Sequence, residues 1–285
     1  MCSSDLSVAQ SERKSPGLDC GHRPFFGQSG LQRYAIAAIV FAELLGTSLW
    51  FSANAAADDL SRAWGLGATQ IGHLTSAVQL GFIAGTLGFS LSGLADRFRA
   101  SRIVAACALF GAVTNAGFAL LSGGLASALL WRFLTGISLA GIYPLGMKLV
   151  VGWAPQRAGE VLGWLVGMLT LGTALPHGIR AIGAGLSWQG VVLASSALAL
   201  VGAALILKLG DGPHLPAPSQ LRRPGWGSVL LAFKVPAFRA SAFGYFGHMW
   251  ELYAFWTVVP MLLASIVANT QVPFWSFTII RSEEH

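Results

Sequence analysis

The sequence predicts an all-α fold, a polytopic transmembrane helical bundle, and three observations carry that prediction. Of its 285 residues, 54% are hydrophobic and only 11% are charged, far below the roughly 25% charged share of a soluble domain. Seven apolar stretches reach the length, about 20 residues, that a helix needs to cross the hydrocarbon layer. Lys and Arg collect on alternate connections between those stretches, the asymmetry that fixes orientation in a bilayer.

The seven stretches run from Tyr34 to Ala56, Gln70 to Leu91, Ile103 to Ser122, Leu125 to Val151, Val161 to Ile182, Trp188 to Leu207 and Ala240 to Ile266. Lipid offers no partner to a backbone amide or carbonyl, so each is expected to be helical. Arg13, Lys14, Arg23 and Arg33 precede the first, Arg97, Arg99 and Arg102 follow the second, Lys148 and Arg157 lie between the fourth and fifth, and five more basic residues follow the sixth. The other connections hold Arg62 and nothing else basic. The N-terminus is therefore expected in the cytoplasm of a multi-pass cell-membrane protein.

Five regions follow from this pattern. Residues 1–30 lack periodicity and read as a disordered tail. Residues 31–209 form a six-helix bundle, and the Pro-, Gly- and Arg-rich residues 210–236 read as a cytoplasmic linker, with 226–233 able to form a short surface helix. Residues 237–268 hold the seventh helix. Residues 269–285 fit no membrane pattern, and both Met1–Leu6 and Arg281–His285 read as translated adapter sequence, so the native protein is expected to begin later and to continue much further.

The chemistry that composition excludes is broad. A formal charge of +6 raises nucleic acid as a partner, but the basic residues are dispersed between apolar runs instead of lining one face. Cys2, Cys20 and Cys107 show no paired spacing, so neither a disulfide framework nor a metal site is indicated. There is no His-Glu-x-x-His, nucleophile elbow, Walker loop or haem-attachment motif. No cofactor and no enzymatic activity are expected.

What remains is ionisable residues inside apolar spans, each costing at least about 2.5 kcal/mol at the bilayer centre unless paired or hydrated. Glu43 and Glu251 fall about 14 to 17 Å deep by a rise of about 1.5 Å per residue. Their contexts, Phe41-Ala42-Glu43-Leu44 before Trp50 and Met249-Trp250-Glu251-Leu252 before Trp256, read as one repeat, as in carriers built of two related halves. One or both carboxyls are expected to load and release a proton or hold a cation; the alternative is a packing carboxyl bonded to a nearby Ser or Trp. Arg132 is the stronger functional Arg, against a structural bond to facing carbonyls or to Glu43, and Arg180 lies near enough to a helix end to snorkel. His177 and His248 are candidate proton relays, against a role in packing. Gly136 and Gly141, with Gly163, Gly167 and Gly172, are expected where helices approach closely, and Pro144 and Pro176 where helices bend or gate.

Two motifs carry a family resemblance. Ser92-Gly93-Leu94-Ala95-Asp96-Arg97-Phe98-Arg99-Ala100-Ser101-Arg102 resembles the Gly-x-Leu-Ala-Asp-Arg-x-Gly-Arg-Lys loop of the major facilitator superfamily, with Leu94 to Arg97 in register, Ser92 at the first Gly and Arg99 at the second. Arg132-Phe133-Leu134-Thr135-Gly136-Ile137-Ser138-Leu139-Ala140 is similar to the family's Arg-x-x-x-Gly-x-x-x-Ala element. The resemblance covers residues 31–266 and implies twelve helices in two bundles around a cavity, with rocker-type alternating access. This chain would supply the first bundle and helix seven, and alone would not transport. It implies gating by Asp96 and Arg97 and an Arg132 associated with proton transfer. The antiporter-type Gly-Pro pair is absent, since Gly172 and Pro176 are separated. The leading expectation is a proton-coupled secondary transporter of a small solute, monomeric at full length, in a bacterial inner membrane. A multidrug effluxer is the alternative, ahead of a membrane-embedded sensor or enzyme.

Overall fold

A computed structural model describes residues 30–183, 185–215, 231–248 and 251. The expected N-terminal tail before residue 30, the linker residues 216–230, the seventh span beyond 251 and the C-terminal tail lie outside them. Every regular element among the described residues is helical. In order these are α1 (Gly30–Thr47), α2 (Ala57–Trp64), α3 (Ala68–Ser92), α4 (Leu94–Arg97), α5 (Ala100–Leu121), α6 (Leu125–Trp153), α7 (Ala158–Ile182) and α8 (Trp188–Leu209). Residues 236–248 form a ninth, α9.

Among the described residues, five helices are long and apolar enough to cross a membrane: α3, α5, α6, α7 and α8. With 22 residues, α5 and α8 are about 33 Å long, matching the roughly 30 Å hydrocarbon layer. The 29 residues of α6 overshoot it. Ends follow local chemistry. Gly93 closes α3 in the left-handed region, φ 63°, where a side chain would be strained. The left-handed residue of this turn is thus Gly93, next to Ser92. Ser187 starts α8 by accepting the Gly190 N–H at 3.2 Å.

The first expected span does not run unbroken to Ala56. Instead α1 stops at Thr47, residues 48–53 make turns, and a short 3₁₀ segment at Asn54–Ala56 leads into α2. Gly46 sits at this point, and hydroxyls after it bond back to their own helix: Thr47 to the Glu43 carbonyl at 2.7 Å, Ser48 to the Leu45 carbonyl at 2.6 Å, Ser52 to the Leu49 carbonyl at 3.1 Å. Such bonds compete with the backbone ladder and bend or end helices.

Packing pairs α3 with α6, α6 with α5, α5 with α8, and sets α1 against α6, α7 and α8. Glycine permits the tightest crossings. A Cβ at Gly136 would collide with the Val78 carbonyl of α3, and one at Gly81 with the Phe133 carbonyl of α6. Gly141 lies under Cys107, and Gly172 lies against Thr47 and the Leu44 carbonyl. Gly163 and Gly167, expected to pack likewise, face open space. The core has three levels along the bundle: one about Ile39, Leu149 and Leu165 at the end where α1 begins, one about Leu49, Leu139 and Ile142, and one about Leu60, Phe118 and Val192 at the far end.

Candidate functional site

Glu43 lies one turn before the end of α1 and is 2% exposed. Gly146 of α6 makes its room: a Cβ there would fall 2.5 Å from Glu43 Oε2 and 3.8 Å from Leu165. Glu43 Oε1 is buried with no hydrogen-bond partner among the described residues. Tyr143 lies on α6 one turn before Gly146. The site is therefore a carboxyl enclosed by α1, α6 and α7, with an unmet acceptor.

The second carboxyl of the expected pair is in different surroundings. Glu251 is helical and exposed, as is His248. His177 is half-buried on α7 and has an interaction partner.

Arg132 is wholly buried, 0% exposed, among polar groups of the turn after α1. Its Nη1 donates to the Leu49 carbonyl at 3.1 Å, to Asn115 Oδ1 at 3.0 Å and to Ser52 Oγ at 3.3 Å. Its Nη2 donates to the Trp50 carbonyl. The face of Phe118 lies 5.7 Å from the guanidinium carbon, a cation–π distance. Asn115 extends the network by donating to the Val192 carbonyl and Ser196 Oγ, each at 3.0 Å. Of the two bonding partners the sequence allowed for Arg132, facing carbonyls or Glu43, the carbonyls are the ones it has. Asn115 and Ser52 were missed; the available signal was an amide inside an apolar span.

Arg180 is half-buried near the end of α7, 2.5 Å from Asp59 of α2, and donates to the Leu186 carbonyl at 2.9 Å. Asp59 also pairs with Arg62. At the opposite end, Asp96 pairs with Lys148 of α6 at 2.7 Å, and the same ammonium donates to the Ala95 carbonyl at 2.7 Å. Arg97, Arg99 and Arg102 are exposed around this pair. A cavity of about 400 Å³ beside it is lined by Ser90, Gly93, Asp96, Pro144 and Lys148, among others. Lys148 entered the sequence reading only as a charge in a loop. Its role needed the fold, since 52 residues separate it from Asp96. Pro144 and Pro176 both lie within continuous helices, α6 and α7. No cluster of metal-ligating side chains occurs among the described residues.

Comparison with known proteins agrees with this architecture. The 4-hydroxybenzoate transporter PcaK of Pseudomonas putida is 33% identical over 162 residues, 53% of this chain and 34% of that protein. The putative uncharacterized transporter YgaY of Escherichia coli K12 is 29% identical over 220 residues, 71% of this chain and 52% of that protein. The crystal structure of a bacterial homolog of the human lysosomal transporter Spinster, inward-facing and unoccupied, superposes with a TM-score of 0.52 at 16% identity, over 82% of this chain and 53% of that one. The chain thus spans between about a third and about half of these proteins. A family profile described as Major Facilitator Superfamily matches residues 36–285, and with nearly the whole sequence inside that match, this multi-pass membrane protein belongs to the Major Facilitator Superfamily.

Proposed function

We propose that this chain is the first bundle of a proton-coupled secondary transporter of a small organic solute, working by alternating access with a second bundle. The observation that carries the proposal is Glu43: a carboxyl inside the bundle, 2% exposed, with an oxygen that has no partner. An unpaired carboxylate is expensive in such a place, while a neutral carboxylic acid is tolerated. Glu43 therefore holds a proton while enclosed and releases it when water reaches it, which is the cycle a coupling site needs. Glu251 is the second proton-handling group of this proposal, at the corresponding place of the repeat.

Asp96 and Lys148, with Arg97, Arg99 and Arg102 around them, form the latch at the cytoplasmic end, in keeping with the basic residues gathered there. Arg180 and Asp59 tie α7 to α2 at the other end. The name of one relative makes an aromatic carboxylate, 4-hydroxybenzoate, the first solute to test.

Uptake into proteoliposomes holding a full-length transporter that carries this bundle tests the reading. Labelled 4-hydroxybenzoate is expected to accumulate under an inward proton gradient, and Glu43→Gln is expected to remove the gradient dependence. Equal uptake with and without the gradient, in wild type and Glu43→Gln alike, would count against coupling.

A further inference from the structure

We propose that Arg132 is a positioning residue that completes the broken first helix, donating to the Leu49 and Trp50 carbonyls in place of backbone N–H groups, while the N–H groups of the same two residues bond the Gly46 and Thr47 carbonyls. This goes beyond the proton-coupling reading and stands without it.

From Tyr34 to the break at Ser48 is about 21 Å at about 1.5 Å per residue, so the turns at 48–53 lie within the depth of a membrane span. Ser48, Leu49 and Ser52 are each 0% exposed. Water does not reach these three residues, and lipid offers no hydrogen bond. Irregular backbone at such depth persists only where protein satisfies it. Here two side chains do so: the guanidinium of α6 donates to the carbonyls of Leu49 and Trp50 and is itself held by Asn115, and the Ser52 hydroxyl adds a second bond to the Leu49 carbonyl. A planar fork of several N–H donors can meet two carbonyls and an amide oxygen at once, which the single nitrogen of Lys cannot do in the same geometry.

The consequence reaches Glu43. Thr47, the last residue of α1, bonds the Glu43 carbonyl, and Gly172 of α7 packs on Thr47. Fixing the break fixes where α1 ends, and with it the height of Glu43 against Gly146. Arg132 is accordingly engaged through its two terminal nitrogens by backbone and by Asn115, with Nε left without a partner among the described residues, and serves to place other groups.

Amide hydrogen exchange of the purified full chain in lipid nanodiscs, followed by mass spectrometry, tests this. Arg132→Lys is expected to speed exchange across residues 48–56 several-fold and Arg132→Ala at least tenfold, with α8 (Trp188–Leu209) within twofold of wild type in both. The Lys variant keeps the charge and remains informative if the Ala variant does not fold. Unchanged exchange at 48–56 in Arg132→Lys would overturn the assignment, and so would an equal rise throughout the bundle. Solute uptake is a separate readout, so either reading can fail alone.

Discussion

A single buried residue in this protein is decided by whether its polar atoms have partners. Asn115 has them: its oxygen accepts from Arg132 and its amide donates to the Val192 carbonyl and to Ser196. Removing it leaves a buried guanidinium and a buried carbonyl short of a bond, a cost of about 1–3 kcal/mol. Asn115→Ala is therefore expected to lower stability by about that amount, whereas Ser196→Ala, which removes two neutral bonds and leaves the guanidinium's bonds intact, costs about 1–2 kcal/mol; thermal unfolding in detergent compares the two. Glu43 is the opposite case, with one oxygen unmet. That contrast was half legible in the sequence. Glu43 and Arg132 announced themselves as ions in apolar spans, but which partners Arg132 finds depends on the turn after Thr47, and no charge pattern records where a helix unwinds.

At the scale of the element, helix existence and order were readable because hydrocarbon allows one solution to each apolar stretch. Where α1 ends was harder. Its apolar run continues past Gly46, and the hydroxyls of Thr47, Ser48 and Ser52, which bond carbonyls three or four residues earlier, mark the break. Glycine spacing was similarly ambiguous. Gly136 and Gly163 look alike in sequence, but the first lies on the Val78 carbonyl and the second faces open space. Gly136→Ala is expected to force α3 and α6 apart and to destabilise by about 1–3 kcal/mol, while Gly163→Ala raises stability by up to about 1 kcal/mol through helix propensity. Opposite shifts of melting temperature would bear this out; equal shifts would mean that the α3–α6 crossing is not close. The loop after α3 shows the reverse lesson: its Asp96 was legible as a motif residue, but Lys148, its partner, was hidden by distance along the chain.

For the whole molecule, the bundle places the hydrogen-bonded network of Arg132 and Asn115 toward the far end and the Glu43 carboxyl nearer the end where α1 begins, with glycines Gly146 and Gly172 between α1, α6 and α7. Proton binding at that carboxyl is what would tie the fold to transport. The expected pairing of Glu43 with Glu251 was a reading of repeated sequence context. In the structure Glu43 is enclosed and Glu251 exposed, a difference that a linear repeat cannot express, because burial depends on which helices are packed around each copy. The most direct measurement is infrared difference spectroscopy of the purified protein in liposomes across a pH series, comparing wild type with Glu43→Gln. We predict a protonated-carboxyl band in wild type that disappears as pH rises and that the variant lacks. Identical pH-dependent spectra from the two proteins would contradict the account.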